Sequence, residues 1–388
     1  MLAIFWQFFL LGLMSFGGPA AHIGYFKKRF VDELNWLDAN TYASFVALSQ
    51  VLPGPSSSQV GFSIGHFRGG LAGGLAAFIG FTLPSFLLLT MLAVSSTNWL
   101  GASWFQGLLH GLKLMAVVIV ADAVSGMFKL FCRQTLTRLI MLLGAVIILG
   151  FASLWAQLLL LFVAAVIGAY FLSPKSFESG ASQPALPPLA IDFRWLFIFA
   201  LLFLLSLFWL TIDVKAVQLF AQFYHAGALV FGGGHVVLPL LEMSVGQEIS
   251  SERFLAGYAF AQAVPGPMFT LAAFLGAESW ADNPILGALV ATLAIFLSGF
   301  LLLLSALKSW HGLMASAKFR GAIAGINAAV VGLLLAALIT PVITSAIFSL
   351  VDLLLVILGL WLSKRFRLNI LWLVLGYVVV GLALGFTG

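Results

Sequence analysis

The fold of this chain is decided by the stretch Leu48-Ser49-Gln50-Val51-Leu52-Pro53-Gly54-Pro55-Ser56-Ser57-Ser58-Gln59. A second copy of its core follows about 210 residues later, in Phe260-Ala261-Gln262-Ala263-Val264-Pro265-Gly266-Pro267-Met268-Phe269-Thr270. Both copies have a glutamine, two further residues and then Pro-Gly-Pro, within apolar surroundings. Proline lacks an N–H and pushes the preceding residue out of the helical region. A helix is therefore expected to end near Val51 or Ala263, and another to begin with Pro55 or Pro267 in its first turn.

The composition places these breaks in a membrane. The chain has 388 residues, of which 62% are hydrophobic and 8% charged, whereas a soluble domain has about 25% charged residues. Apolar segments of roughly 17–25 residues recur along the chain, which is the length of a membrane-spanning helix. An all-α polytopic membrane protein is predicted, beginning with a membrane helix rather than a signal peptide. Its net charge of +5 is assigned to short loops between helices and not to a nucleic-acid surface.

Few residues are suited to covalent chemistry. The single cysteine, Cys132, excludes an internal disulfide and a cysteine-cluster metal site. The sequence has no His-Glu-x-x-His motif and no P-loop, so an intramembrane zinc protease and an ATP-driven machine are both disfavoured. We predict no catalytic residue, no metal and no cofactor, and the chain is not expected to be an enzyme.

The hydropathy pattern predicts the helices and the domain boundaries. A polar, proline-rich stretch at 173–194 cannot pack a core and is predicted to be a linker. It separates an N-terminal repeat, 1–172, from residues 195–388, which join an extra apolar segment to a C-terminal repeat. The predicted apolar helical runs are roughly 2–20, 41–66 (with the break), 71–94, 107–128, 138–154, 156–172 and 195–212.

The two halves repeat the same motifs in the same order. Phe231-Gly232-Gly233 repeats Phe16-Gly17-Gly18, and Gly325-Ile326-Asn327 resembles Gly111-Leu112-Lys113. Together with the two Pro-Gly-Pro breaks, this spacing indicates an internal duplication.

Charged loops indicate that the repeats are inverted. The first Phe-Gly-Gly motif is followed by the basic run 27–29, whereas the second is followed by Glu242, Glu248 and Glu252. One loop later the first repeat is uncharged, while the second carries Lys318 and Arg320. Short cytoplasmic loops are enriched in Lys and Arg, so the halves are predicted to have opposite orientations. One conflict remains: five crossings in the first half would require the run 195–212, or one of the short helices at 138–172, not to cross.

The two breaks are the predicted substrate site. Broken backbone in a membrane is tolerated only where protein or a water-filled cavity receives its polar groups, and paired breaks in two repeats are the best pointer to a transporter's site. Helix N-termini favour anions but contribute at most about 2 kcal/mol each, so further donors are needed. The alternatives are a simple packing turn for the breaks and close helix packing for the glycines. The predicted contacts are Gly17, Gly18, Gln50, Pro53, Gly54, Pro55, Ser56, Ser57, Ser58, Gly232, Gly233, Gln262, Pro265, Gly266, Pro267, Met268, Phe269 and Thr270.

Few ionisable residues lie in apolar segments, which makes each of them informative. Lys113 is the predicted cation of the anion site, with snorkelling to the interface as its alternative. Asp122 is the main candidate for a proton carrier, with a structural ion-pair role as its alternative. His22 and His235 are further proton-coupling candidates, and either could instead be a polar packing residue.

The motifs resemble a known family. The segments 16–22, 50–55, 231–239 and 262–267 resemble the chromate transporter family, in particular its long, two-domain members. The resemblance implies a multi-pass carrier in the bacterial cytoplasmic (inner) membrane that expels chromate and confers chromate resistance, with sulfate as a similar oxyanion. The family pattern falls on the glycines, prolines and glutamines named above. The expected partners are the oxyanion, the lipid bilayer and, for assembly as a homodimer, a second copy of the chain.

The membrane potential favours export of an anion. Moving a divalent anion out of a cell that is negative inside gains about 4.6 kcal/mol per 100 mV. Export can therefore run on membrane potential, and proton exchange through Asp122 is still open.

The alternative functions are a carrier for another oxyanion such as sulfate, a carrier for a small organic anion, and an intramembrane enzyme or scaffold.

Overall fold

The computed structural model is all-α, as predicted. It describes residues 1–16, 18–96, 102–151, 153–173, 192–210, 212–231, 237–246, 248–307, 316–366 and 370–387, and these ranges contain no strand. Most of the predicted linker, 174–191, lies outside the described residues. The helices are α1 Leu2–Met14, α2 Gly18–Phe26, α3 Ala39–Val51, α4 Ser56–Ser96, α5 Ser103–Phe131, α6 Thr135–Gly150, α7 Leu154–Phe171, α8 Phe193–Trp209, α9 Lys215–Leu229, α10 Val237–Val245, α11 Ser251–Ala263, α12 Leu271–Ser279, α13 Pro284–Ala306, α14 Ala317–Ala337, α15 Leu350–Phe366 and α16 Ile370–Thr387.

The first two helices form a hairpin, so the prediction of a single membrane helix over 2–20 is wrong. Helix α1 ends at Met14, and α2 continues through a π-helical segment, Lys27–Glu33. The ring of Phe8 lies 4.6 Å from that of Phe30, and Arg29 Nε donates to Gln7 Oε1 at 2.9 Å. These contacts bring the π-helical segment back beside the middle of α1. The sequence had left close helix packing open as the role of Gly17 and Gly18 in this apolar run.

The first Pro-Gly-Pro break is the tip of a second hairpin. Helix α3 leads to it, and the first part of α4, residues 56–68 (α4a), leads away. Helix α4 is then interrupted, because Gly69 and Gly70 have non-helical backbone angles and φ of Gly70 is +59°. Gly65 lies directly against Gly73 across this turn. Residues 71–96 (α4b) therefore run back as a separate helix of about 39 Å, long enough to cross a bilayer.

The second half also contains two pairs of short helices, α9 with α10 and α11 with α12. Lys215 at the start of α9 pairs with Glu248 just after α10, at 2.7 Å, so α9 and α10 also return to a common end. Helices α11 and α12 flank the second Pro-Gly-Pro, with a short 3-10 turn, Met268–Thr270, at the start of the second arm. Gly276 of α12 lies against Gly287 of α13, as Gly65 lies against Gly73.

The long helices α5 and α14 each pack against a helix from the other half of the chain. Helix α5 packs along α16, and α14 packs along α7. Both contacts use glycines, because without side chains the backbones approach closely. Gly107 and Gly111 lie against Gly381 of α16, and Gly321 and Gly325 lie against Gly168 of α7. Four helical segments are long and apolar enough to cross a membrane, among the described residues: Ser56–Ser95 (α4a and α4b together), Ser103–Phe131, Pro284–Ala306 and Ala317–Ile343 (α14 and the π-helical segment after it).

Candidate functional site

The two Pro-Gly-Pro tips have the backbone that the sequence predicts. Leu52 and Val264 are extended, with φ of −73° and −82°, because the prolines after them exclude the helical region. Gly54 and Gly266 have φ of +121° and +113°, values that glycine alone adopts readily. Each tip therefore ends one helix and redirects the chain within a few residues.

Each tip is bound to the opposite half of the molecule. The N–H of Gly54 donates to the Val230 carbonyl at 2.8 Å, and the N–H of Gly266 donates to the Ser15 carbonyl at 3.0 Å. Ser15 and Val230 come immediately before the two Phe-Gly-Gly motifs. The four broken segments thus meet in the interior, where each repeat satisfies polar backbone that the other leaves free. The sequence had placed both motifs at the site, but it contained no signal that each tip would bind to the other half of the molecule.

At the first tip, the three serines begin α4a and are all buried. Their N–H groups belong to the first turn, which has no helical acceptors. Ser57 Oγ lies 3.3 Å from His22 Nδ1, and His22 Nε2 lies 3.2 Å from the Ser15 carbonyl. His22 therefore joins the α1–α2 hairpin to the first tip. The hydroxyls of Ser15 and Ser58 are buried and have no hydrogen-bond partner within the described part of the chain.

The second tip offers fewer free donors. Met268, Phe269 and Thr270 are buried, but both the N–H and the hydroxyl of Thr270 bind the Pro267 carbonyl. The donors left by the 3-10 turn are the N–H groups of Met268 and Phe269. The two tips therefore have similar backbones and different chemistry.

Gln59 organises the first tip, whereas the sequence had pointed to Gln50. The Gln59 side chain is fully buried, and its Nε2 donates to the carbonyls of Pro53 at 2.9 Å and Gly299 at 3.1 Å. Gln50 is exposed, and Gln262 places its Nε2 3.1 Å from the Met268 sulfur, a weak acceptor. The two glutamines at equivalent sequence positions thus have different environments.

Replacing Gln59 with alanine is expected to lower the free energy of unfolding by about 2 kcal/mol, because an unpaired buried acceptor costs about 1–3 kcal/mol. Gln50→Ala, at an exposed position three residues before the same tip, is the control and is expected to change it by less than about 0.5 kcal/mol. Thermal unfolding of the detergent-solubilised proteins measures both. Equal stability of the two variants would show that Gln59 does not hold the tip.

The structure places Lys113 and Asp122 away from the tips. Lys113 Nζ pairs with Glu252 Oε1 at 2.9 Å and lies 5.9 Å from the Phe348 ring. Glu252 is at the start of α11, whose 13 residues separate it from the tip by about 18 Å. Asp122 is exposed on the second half of α5.

The residues of the two Phe-Gly-Gly motifs and the histidine after the second lie only partly within the described ranges. Gly18 begins α2 with φ of +74°. Gly17, Gly232, Gly233 and His235 lie outside the described residues.

A group of ion pairs that the sequence had not indicated lies near the Lys113 end of α5. Arg253 of α11 binds Glu278 of α12, with Arg253 Nε 2.9 Å from Glu278 Oε2, and also donates to the Ala93 carbonyl. His110 Nε2 lies 2.7 Å from Asp352 Oδ1. These partners are far apart in sequence, so no local pattern could reveal them. No group of three or more His, Cys, Asp or Glu side chains suited to a metal occurs within the described ranges.

Comparison with known proteins gives a consistent result over nearly the whole chain. The family model described as chromate transporter matches residues 2–169 and 217–382. An uncharacterized transporter of Methanocaldococcus jannaschii is 27% identical over 98% of this chain and 94% of its own length. A chromate transport protein of Pseudomonas aeruginosa is 28% identical over 85% of this chain and 78% of its own length. A probable chromate transport protein of Synechococcus elongatus is 29% identical, with 76% and 73% covered. No solved structure matches the chain.

Proposed function

The chain belongs to the chromate transporter family, and from this premise we propose that it is a secondary transporter that exports chromate across the bacterial cytoplasmic membrane and confers chromate resistance. The family implies a transporter rather than an enzyme. The observation that carries the proposal is the meeting of the two broken tips, each bound through its glycine N–H to the other half. We place the oxyanion where the first turns of α4a and of Met268–Thr270 present donors, as helix N-termini do for anions.

The proposed contacts are not equivalent in the two repeats. The first tip contributes the N–H groups and hydroxyls of Ser56, Ser57 and Ser58, whereas the second contributes mainly the N–H groups of Met268 and Phe269. Gln50 and Gln262 stay in the proposal as amide donors beside the tips. The buried tips leave the site closed in this conformation, so substrate access requires the repeats to rock apart about the fixed site.

We further propose that the repeats are inverted, with the domain division at 1–172, 173–194 and 195–388. Contacts group the helix ends into two sets. At one end, Lys318 at the start of α14 lies 5.6 Å from the ring of Tyr170 near the end of α7, and the Asp192 N–H beside α8 binds the Ser305 carbonyl of α13. At the other end, α11 begins beside the end of α4b, where Arg253 binds the Ala93 carbonyl.

The proposed topology, in which these hairpins do not cross the membrane, avoids the conflict in the sequence-based topology. Because α1–α2 returns to its own side, only α4b, α5, α6 and α7 cross in the first half. Helix α8 then crosses as well, and the second repeat begins on the opposite side. Most basic residues fall at the end that contains the N-terminus, which is therefore cytoplasmic: Lys27, Lys28, Arg29, Arg68, Lys129, Arg133, Arg138, Arg194, Lys318, Arg320, Lys364 and Arg365.

Labelling of single cysteines tests this orientation. In a Cys132→Ser background, Lys28→Cys is expected to react with a membrane-impermeant thiol reagent only from the cytoplasmic side, and Asp282→Cys only from the opposite side. Both positions are exposed, so differences in labelling reflect sidedness rather than burial. Reaction of both from the same side would contradict the inverted arrangement.

Membrane potential supplies enough free energy for export. Expelling a dianion gains about 4.6 kcal/mol per 100 mV, which corresponds to more than a thousandfold gradient, since about 1.4 kcal/mol is tenfold. Export is therefore possible without a second coupled ion, and proton exchange would add to it.

Radiolabelled chromate flux in sealed vesicles, with the potential clamped and sulfate as competitor, tests the proposed function. Potential-dependent chromate movement that sulfate reduces is the expected result. Flux of sulfate or a small organic anion without chromate flux would favour the alternative substrate. No flux of any of these anions would contradict the proposed transport activity.

A further inference from the structure

Glu242 lies in a crevice that the proposed substrate site does not use. The residue is on α10, the returning arm of the hairpin after the second Phe-Gly-Gly motif. The crevice has a volume of about 130 Å³ and lies between α6, α10 and α14. Apart from Glu242 and Thr340, its lining is apolar, with Ile148 and Leu149 from α6 and Leu333 from α14. The Glu242 side chain is half-buried there.

No cation from the described part of the chain faces this carboxyl group. Within the described residues, the Glu242 side chain has no hydrogen-bond or ion-pair partner, and no other titratable side chain lines the crevice. On the neighbouring α9, Lys215 is bound to Glu248 at 2.7 Å and His225 to Ser206 at 2.9 Å. The cations of α6 and α14, which are Arg138, Lys318 and Arg320, lie in the first turns of those helices, far from the crevice residues.

The hydroxyl of Thr340, the other polar residue of the lining, suits both the ionised and the protonated form of the Glu242 carboxyl group. Thr340 lies just after α14, in the π-helical segment Leu338–Ile343. It has extended backbone angles there, φ −138° and ψ 119°, and it lines the crevice. A hydroxyl can donate to an ionised carboxylate and accept from a protonated one. Burial without a cation disfavours the charged form, and an ionisable residue inside the membrane is a mark of ion and proton pathways.

The first repeat shows that the fold itself does not require this carboxyl group. The equivalent position holds Lys27, which is solvent-exposed and paired with Asp32 at 3.0 Å. Alignment of Gly111 with Gly325 also places Asp122 at the position of Ala336, which lines the Glu242 crevice. The two repeats therefore differ at this position of the returning arm, where the second has a carboxyl group and the first has a cation.

We propose that Glu242 binds and releases a proton in this crevice and so couples oxyanion transport to the proton gradient. The proposal rests on the proposed transport function and deepens it. The residue lies five positions into α10, about 8 Å along the helix from its first residue, Val237. In the sequence, Val237 comes seven residues after Val230, whose carbonyl binds the first tip. Protonation removes a negative charge from this arm, and with it the repulsion of an approaching dianion.

Infrared titration of the reconstituted protein tests proton binding without any substrate. The parent is expected to show a protonated-carboxyl C=O band that disappears as the pH rises, and Glu242→Gln is expected to lack it. Glu248→Gln, which changes a carboxylate already paired with Lys215, is the matched control and should keep the band. A band unchanged in Glu242→Gln would overturn the proposal.

Chromate accumulation in proteoliposomes, with the potential clamped at zero, tests the coupling. A pH gradient of one unit is expected to shift the steady-state chromate ratio of the parent about tenfold for each proton coupled. Glu242→Gln should lose this shift and keep chromate–chromate exchange, and Glu242→Asp should retain it. A parent without the shift, a full shift in Glu242→Gln, or its loss only in Asp122→Asn would each overturn the proposal. Absence of chromate flux from every protein would instead contradict the transport function, and the infrared titration then decides the proton site alone.

Discussion

Gly54→Ala is expected to reduce chromate flux to background while the protein still inserts into the membrane. At φ of +121° a side chain is strained by about 1–3 kcal/mol. A Cβ there would also lie 2.8 Å from the Gly299 Cα and 2.9 Å from Gln59 Nε2, and overpacking adds about 1–3 kcal/mol. The tip has to move, which breaks the bond to Val230 and turns the donors of the serines away from the site.

The corresponding change in the second tip, Gly266→Ala, is expected to be milder. Its φ is similar, at +113°, but the nearest atom to a new Cβ is Ser85 Oγ at 2.7 Å, a side-chain atom that can rotate away. A reduction on the order of tenfold is expected, which corresponds to about 1.4 kcal/mol. Adding Ser85→Gly, which copies the glycine found at 299 in the other repeat, should recover part of the flux. The backbone strain at 266 prevents full recovery.

Flux normalised to inserted protein measures these variants, with Gly126→Ala as the control. A Cβ at Gly126 of α5 meets no atom within 4 Å, so alanine there is expected to be neutral or slightly stabilising. Normal flux in Gly54→Ala would mean that the first break is a packing turn, and the substrate site would then lie elsewhere.

The second large effect is expected at the contact between α5 and α16, where Gly111→Leu should prevent stable assembly. A Cβ alone at this position would lie 2.8 Å from the Gly381 Cα, and leucine adds three more carbon atoms. The two helices would have to separate, and in lipid no hydrophobic driving force between helices compensates for lost packing. A destabilisation of several kcal/mol is expected, above the usual range of about 1–3 kcal/mol for overpacking, because the obstacle is backbone.

Gly376→Leu on α16 is the matched control. This glycine is exposed, and a Cβ there meets no atom within 4 Å, so the substitution should leave the protein monodisperse with an unchanged thermal midpoint. Size-exclusion profiles and thermal unfolding in detergent measure both variants. A stable, monodisperse Gly111→Leu protein would show that α5 and α16 do not depend on this close approach.

The sequence by itself determined the features that depend on local chemistry. Hydropathy and low charge specify membrane helices, and proline and glycine end helices wherever they occur. The breaks at Val51 and Ala263, the internal duplication and the resemblance to the chromate transporter family were therefore all readable. The helices predicted at 107–128 and 195–212 correspond to α5 and α8, shifted by a few residues at their ends, where helix boundaries are least defined.

Only the tertiary structure decided which groups meet. Lys113 looked like a site cation, but its partner Glu252 is 139 residues away, and no local pattern encodes such a pair. The return of α2 beside α1 and the bonds from Gly54 to Val230 and from Gly266 to Ser15 are likewise contacts between distant segments. The physical reason is that apolar helices in lipid have little hydrophobic preference for one neighbour over another. Close backbone approach at glycines and the need to satisfy broken backbone groups select the partners, and both depend on the shape of the assembled molecule.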